Sequence, residues 1–336
     1  MPAVPPTPPF TTTDADAGQT LAAVLRHRLA AGGPPMSWGD VRQLIAARRV
    51  QVNGTPCVDD ARRLRAGESV AVLTTSLRPP PAAGDLVVRF LDDHLVVVEK
   101  PAGVLSVRNP EEAGWDERRK GRQPTLDELL QKRLPRPRSK AVAADWRVRP
   151  VHRLDRDTSG LTIYALSAAA EQKLIALFAK HQIDRAYRAV VHGNLAAATT
   201  YESHLVRDRG DGLRGSAQRG ADDPDAQRAV THVKPVEHLG DRYTAVDCRL
   251  ETGRTHQIRI HLSEAGHPLC GDPTYRGGTP KWRSPRRLLI EDHSGAPRQA
   301  LHAQRLALVH PITGKPLTFD SAWPDDLAKW WAGLRR

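Results

Sequence analysis

Apolar residues recur at helical spacing twice near the start of the chain. Leu21, Val24, Leu25 and Leu29 mark one face of a first helix, and Val41, Leu44 and Ile45 mark a second that Ser37 is placed to cap. The period then changes. Arg48 to Asn53 alternates around Val50 and Val52 and runs into Asn53-Gly54, the dipeptide of a tight hairpin, while Val70-Ala71-Val72-Leu73 offers a further strand. Beyond Pro79-Pro80-Pro81, Leu86 to Phe90 and Leu95 to Val98 read as strands around an Asp92-Asp93-His94 turn. Leu126, Leu129 and Leu130 carry helical potential inside a charged segment, residues 111–149, whose cations are read as solvated. Leu161 to Leu166 is apolar with β-branched members, the mark of a buried strand, and residues 168–180 form a helix that turns Leu174, Leu177 and Phe178 inward. Alternation places Tyr187, Ala189 and Val191 on one face of a strand, and residues 244–250 alternate likewise. After them, spacing sets Gln257, Ile260 and His261 near one face of a helix with Arg259 displaced from it. Residues 207–228, rich in Gly, Asp and Arg, read as a mobile loop.

These patterns divide the chain into a Pro- and Thr-rich lead over residues 1–16, expected to be disordered, and a small α/β module over 17–77. A stiff Pro-rich linker over 78–84, a large domain over 85–326 and a C-terminal tail over 327–336 complete the division. The length of 336 residues accommodates one large and one small domain, and hydrophobic residues at 40% suffice for packed cores. No apolar run approaches the roughly 20 residues of a membrane helix, and the start has no basic and apolar leader. Cys57, Cys248 and Cys270 lie far apart, which argues against a disulfide framework and a zinc site and for a reducing cytoplasm. The formal net charge of +12 favours a polyanionic partner, nucleic acid or an anionic membrane surface. Most of that charge is arginine, suited to bidentate contact with phosphate. Eight arginines against four acidic residues leave the stretch Gly18 to Leu77 at +4.

The chemistry concentrates between His152 and Leu161, His-Arg-Leu-Asp-Arg-Asp-Thr-Ser-Gly-Leu, directly before a strand that would hold it in place. Asp157-Thr158-Ser159-Gly160 is also good turn chemistry on its own. There is no P-loop, no HExxH, no GxSxG elbow and no ligand cluster at metal spacing, so no metal and no cofactor is expected. Gly210, Gly212 and Gly215 match a dinucleotide fingerprint formally, but no strand precedes them and no apolar helix follows. What remains is a carboxylate, arginines and a basic surface. Hydrolysis of a glycosidic bond ordinarily uses two carboxylates. An isomerisation that detaches a base, rotates it and rejoins it through carbon needs only one.

The decapeptide resembles the signature of the RluA-type pseudouridine synthases. So do Lys100-Pro101-Ala102-Gly103, the segment Arg185-Ala186-Tyr187-Arg188-Ala189-Val190-Val191-His192-Gly193, and Thr252-Gly253-Arg254-Thr255-His256-Gln257-Ile258-Arg259. Later segments, Gly271 to Tyr275 and Arg298 to Ala303, fit the same pattern. The likeness spans residues 86–324, with insertions at 111–122 and 207–228 between the motifs. It implies an α+β fold, a mixed and mainly antiparallel sheet flanked by helices, and conversion of uridine to pseudouridine in RNA. It carries the nucleophile onto Asp155 and not Asp157, the ionic partner of Asp155 onto Arg259, and the ring beside the uracil onto Tyr187, which is also a candidate base for the sugar proton. Arg153 is implied as the side chain that fills the space of the extruded base, with Thr158, Ser159, Gly160, Arg254, His256 and Gln257 as further substrate-binding positions. Residues 17–77 resemble the ribosomal S-four-type RNA-binding domain. Large-subunit ribosomal RNA is then the expected partner and tRNA the alternative, with no membrane, no cofactor and a monomer favoured. A non-catalytic RNA-binding or ribosome-assembly protein, and an RNA glycosylase using Asp157 as a second carboxylate, are the competing readings.

Overall fold

The computed structural model describes residues 7–30, 36–74, 76, 77, 79–136, 146–210, 212–217, 223–276 and 290–335. They form two compact units, Met1–Pro80 with Pro110–Pro124, and Pro81–Asn109 with Thr125–Arg336.

The first unit holds β1 (Thr7–Thr11), α1 (Leu21–Arg28), α2 (Trp38–Ala46), β2 (Val50–Val52), β3 (Thr55–Pro56) and β4 (Ser69–Val72), with an antiparallel sheet in the order β1-β4-β2-β3. Both helices start where a hydroxyl can accept an orphan N–H: Thr20 accepts from Ala23 N and Ser37 from Asp40 N. Leu21, Leu25, Val41, Ile45, Val50 and Val70 close the core between helices and sheet. Asn53 and Gly54 take positive φ, 52° and 71°, which turns β2 tightly into β3. The lead is ordered from Thr7 onward, contrary to the expectation for residues 1–16. As an edge strand, β1 tolerates its prolines; Thr12 Oγ1 donates to Arg65 O at 2.6 Å, and Asp16 pairs with Arg28 at 2.7 Å. Within the insertion, α3 (Glu117–Arg122) belongs to this unit. Arg119 pairs with Asp59 and lies over the Trp115 ring at 4.7 Å, and Gln123 Nε2 donates to Pro56 O at 3.0 Å.

The second unit runs β5 (Val87–Leu91), β6 (Leu95–Lys100), α4 (Leu126–Arg133), β7 (Arg149–Pro150), β8 (Ser159–Ala165), α5 (Ala168–Ala179), β9 (Asp184–His192), β10 (Thr199–Val206), β11 (Gly215–Ser216), β12 (Gln227–Leu239), β13 (Tyr243–Leu250), α6 (Gln257–Glu264), β14 (Leu301–Val309), β15 (Pro316–Asp320) and α7 (Asp325–Leu334). Its sheet follows β11-β10-β12-β13-β9-β14-β8-β6-β5, with β15 added to β14 and β7 to β8. Every pairing among the described strands is antiparallel except β8 with β14. The unit is therefore α+β, a mixed and mainly antiparallel sheet flanked by helices. All of β8 is buried because both faces are covered: Tyr164 joins the cluster of Leu126 and Leu130 from α4, and Ile163 that of Leu174 from α5. A strand covered on both sides needs the unbroken apolar run seen in the sequence.

Three expectations change here. Helix α6 is buried all round, not along one face. Ile258 and Leu262 pack with Val246 and Tyr187, Ile260 packs with Leu205 and Ala229, and Gln257 and His261 turn to β12, His261 Nδ1 lying 2.8 Å from Thr231 Oγ1. The C-terminal tail is α7, which seats Leu327 and Trp331 against Val190, Tyr243 and Ala245. Finally, the described part of 207–228 is built rather than mobile. Arg209 forms a buried ion pair with Glu264 at 3.3 Å, and Ser216 donates its N–H and its hydroxyl to the same carboxylate at 3.0 and 2.6 Å. Residues 211 and 218–222 lie outside the described residues.

Candidate active site

The loop between β7 and β8 carries the acidic motif, and contacts from distant segments brace it. Ser106 Oγ donates to Leu154 O at 3.0 Å and accepts from Leu154 N at 2.9 Å. Lys100, at the end of β6, turns its ammonium onto three carbonyls, Pro101 at 3.0 Å, Val104 at 2.7 Å and Arg156 at 2.7 Å. Burial pulls its pKa down to about 7, against the attraction of Asp157 and Asp155. His152 stacks on Phe178 at 4.7 Å, and its Nε2 accepts from Ile163 N, so the motif is tied to the strand that follows it. Burial drives that imidazole to about 3, so it is neutral.

The Thr-Ser-Gly that ends the motif faces β14 and the turn before it. Thr158 Oγ1 accepts from Gln299 Nε2 at 2.7 Å, and Ser159 Oγ accepts from Arg298 Nη2 at 2.9 Å and lies 2.9 Å from His302 Nδ1. Gly160 has φ +113°, and a Cβ there would stand 2.3 Å from Ala303 O. Only glycine lets the parallel strand approach this closely.

Asp155 opens into a cavity of about 600 Å³, lined also by Arg153, Thr158, Arg185, Tyr187, Arg228, Arg254, His256, Gln257 and Arg259. The fold thus gathers eight of the ten sequence-predicted site residues; Ser159 and Gly160 lie behind it, in the packing of β8 on β14. Among the described lining residues Asp155 is the only carboxylate, and Asp157 does not reach the cavity.

Arg259 Nη1 donates to Asp155 Oδ2 at 3.3 Å, but its stronger partner was not foreseen. Asp272, fully buried, takes Arg259 Nε at 2.7 Å and Nη2 at 2.8 Å, and accepts from the N–H groups of Thr274 and Tyr275. Arg259 is therefore a shared cation, clamped bidentately on one side and offered to Asp155 on the other. Although burial lowers its pKa, the two carboxylates more than reverse that, and it stays charged. For Asp155, desolvation pushes the carboxyl upward, and the charges of His256, Arg259 and Arg153 together hold it below the ordinary aspartate value. Near neutral pH the arginines do that holding, since burial lowers His256 to about 4.

His256 stands in left-handed backbone, φ +60°, at the start of α6. Its Nδ1 lies 2.9 Å from the Tyr275 hydroxyl, whose pKa burial raises, and its Nε2 lies 3.9 Å from Asp155 Oδ1. A protonated phenol donating to Nδ1 leaves the imidazole proton on Nε2, toward the carboxylate. Tyr187, on β9, is buried beside Asp155 with its pKa raised, first by desolvation, so it is a neutral phenol near pH 7. Gln257 is spent on the fold: Oε1 accepts from Thr252 Oγ1 and Arg254 N, and Nε2 donates to Val230 O and Thr231 Oγ1. Among the described residues, no group of His, Cys, Asp or Glu has a metal-holding arrangement, and no helix is long and apolar enough to cross a membrane.

One ionised carboxylate in a cavity ringed by arginine, on a mainly antiparallel sheet, describes an enzyme acting on a polyanion. Residues 94–264 match the family model described as RNA pseudouridylate synthase, and the chain belongs to that family. It is 36% identical over 278 residues to the ribosomal large subunit pseudouridine synthase D of Xanthomonas campestris pv. campestris, covering 81% of this chain and 77% of that one. It is 30% identical over 315 residues to the protein of the same name from Escherichia coli (strain K12), covering 92% and 90%. In fold it is similar to human RNA Pseudouridylate Synthase Domain Containing 1, with a TM-score of 0.52 and 24% identity over 74% of this chain and 87% of that one. The protein is a pseudouridine synthase, an isomerase acting on RNA.

Proposed function

We propose that this protein converts uridine to pseudouridine in large-subunit ribosomal RNA, with Asp155 as the reacting carboxylate. The observation that carries the assignment of Asp155 is its isolation: one ionised carboxylate, braced by a clamped arginine, in a cavity with no second described carboxylate. Hydrolysis of a glycosidic bond would call for two. Isomerisation balances without a second carboxylate: the N1–C1′ bond breaks, a C5–C1′ bond forms, C5 gives up its hydrogen and N1 gains one. Asp155 serves it by covalent attack or by promoting elimination to a glycal. Arg259 keeps Asp155 charged, Tyr187 lies against the uracil, and Arg153, exposed at the cavity rim, fills the place of the extruded base. Thr158, Arg254, His256 and Gln257 shape the wall, while Ser159 and Gly160 support the loop from behind. Residues 17–77 act as an S-four-type RNA-binding module, supported by their net charge of +4 and the β2–β3 hairpin. The ribosomal target is supported by the names of relatives that match most of the chain. Work in the cytoplasm suits three buried, unpaired cysteines.

The test is to incubate the purified protein with large-subunit ribosomal RNA and, separately, with tRNA transcripts, and to map pseudouridine in each. Modification of discrete uridines in the ribosomal RNA is expected. Modification confined to tRNA would reassign the target, and full activity of Asp155→Asn would reassign the carboxylate.

A further inference from the structure

Next to the cavity, and sharing Arg254 with it, lies a smaller and almost wholly polar pocket of about 200 Å³. Its walls are Arg207, Arg214 and Arg254, with Asp225, Gln227 and Thr255. Among the described residues, three guanidinium groups therefore face one carboxylate. Among the described residues Arg207 and Arg214 have no ion pair, and Arg254 is held by a neutral partner, its Nε donating to Arg228 O at 3.1 Å. Asp225 offsets only part of that charge, so the described lining keeps an excess of positive charge that favours entry of an anion.

The pocket is also pre-built. The turn after Arg207 is pinned by Asp208, whose carboxylate accepts from Gly210 N at 2.8 Å and Gly212 N at 2.9 Å. Arg209 N donates to Leu213 O at 2.8 Å, and the Arg209 side chain is locked to Glu264 of α6. Gly215 is needed there, because a Cβ would stand 2.2 Å from Arg209 Cδ and 2.9 Å from Glu264 Oε1. Arg207 and Arg214 thus flank a turn anchored to the helix that carries Arg259. The fixed backbone brings these guanidinium groups to one pocket, and their planar forks match phosphate oxygens.

We infer that Arg207, Arg214 and Arg254 form a phosphate subsite, which takes a phosphodiester of the RNA strand immediately flanking the nucleotide in the cavity. The inference rests on the proposed function for what occupies the cavity. It turns an insertion between motifs into a clamp that sets which stretch of the strand enters. As a wall of both spaces, Arg254 fixes their adjacency.

The experiment uses the full chain and Arg207→Gln/Arg214→Gln, both exposed or half-exposed positions whose replacement leaves the Arg209–Glu264 anchor in place. Binding of a short mixed-sequence single-stranded RNA is measured across a salt series, and pseudouridine formation in ribosomal RNA is measured separately. The double variant should bind about ten-fold more weakly, the size of one lost charge-assisted contact. Its slope of log affinity against log salt should flatten by about 0.7, one phosphate of a single strand, and the kinetic effect should fall on KM. Replacing one linkage beside the modified uridine by an uncharged methylphosphonate should cost the wild type affinity and the double variant little. Equal affinity and slope for the two proteins would overturn the subsite, even if the wild type makes pseudouridine. If the wild type modifies no RNA yet the slopes differ as stated, the subsite stands and the proposed function falls.

Discussion

At the scale of single residues, the site turns on how one cation is divided between two carboxylates. Asp155→Asn keeps the shape but removes the charge and the nucleophile, so turnover should fall below detection. RNA binding, spread over many phosphate contacts, should change little. Asp157→Asn should keep substantial turnover, since Asp157 stands outside the cavity; loss with Asp157→Asn alone, in a pseudouridine assay, would put the reacting group two residues downstream. The pH profile tests the brace. Desolvation alone would raise the Asp155 pKa, and the charges of His256, Arg259 and Arg153 reverse that, so the acid limb of kcat/KM should lie below the ordinary aspartate value. Arg259→Gln removes the nearest cation, and the limb should move up in pH. Asp272→Asn should move it the other way, because Arg259 loses its competing carboxylate. That variant should also lower kcat by on the order of 10²-fold, the cost of a misplaced reacting geometry. A limb that stays put in both variants would remove Arg259 from the control of Asp155.

At the scale of elements, the reacting loop is held by a strand pair rather than by its own turn. Strands β8 and β14 are parallel neighbours at Ser159–His302 and Gly160–Ala303, and the closeness of that contact excludes a side chain at Gly160. Gly160→Ala should destabilise the second unit by roughly 1–3 kcal/mol through forced separation of the strands. The check is a lowered denaturation midpoint at unchanged m. Wild-type stability would show that the loop, and not the pairing, absorbs the methyl. Helix α6 makes the same point from the other side. Its polar residues resemble a surface helix, yet each finds a partner inside, as Glu264 finds Arg209 and Ser216, and buried polar groups are tolerated on that condition.

At the scale of the whole molecule, charge is the main lever. Removing the first unit, residues 1–80 together with 110–124 that pack within it, should weaken RNA affinity and flatten its salt dependence, since fewer phosphates are neutralised. The remaining unit has its own cores and sheet and should still fold. Equal affinity and slope in the shortened protein would end the RNA-binding role of residues 17–77. Leaving 110–124 in place would confuse the result, because Arg119 and Gln123 would lose Asp59 and the Pro56 carbonyl. What the sequence determined by itself is whatever is contiguous: the cap at Ser37, the Asn53-Gly54 hairpin, the buried run of β8 and the motif around Asp155. Each is a local pattern whose physics acts over a few residues. Tertiary structure alone decided what depends on residues far apart in the chain. Asp272 takes Arg259 from 13 positions away, Gln299 and Arg298 reach Thr158 and Ser159 from 141 and 139, and Arg209 meets Glu264 across 55. A side chain's spacing along the chain shows which face of a strand or helix it takes, but a hydrogen bond or ion pair needs atoms within about 3 Å, and only the folded sheet brings them there.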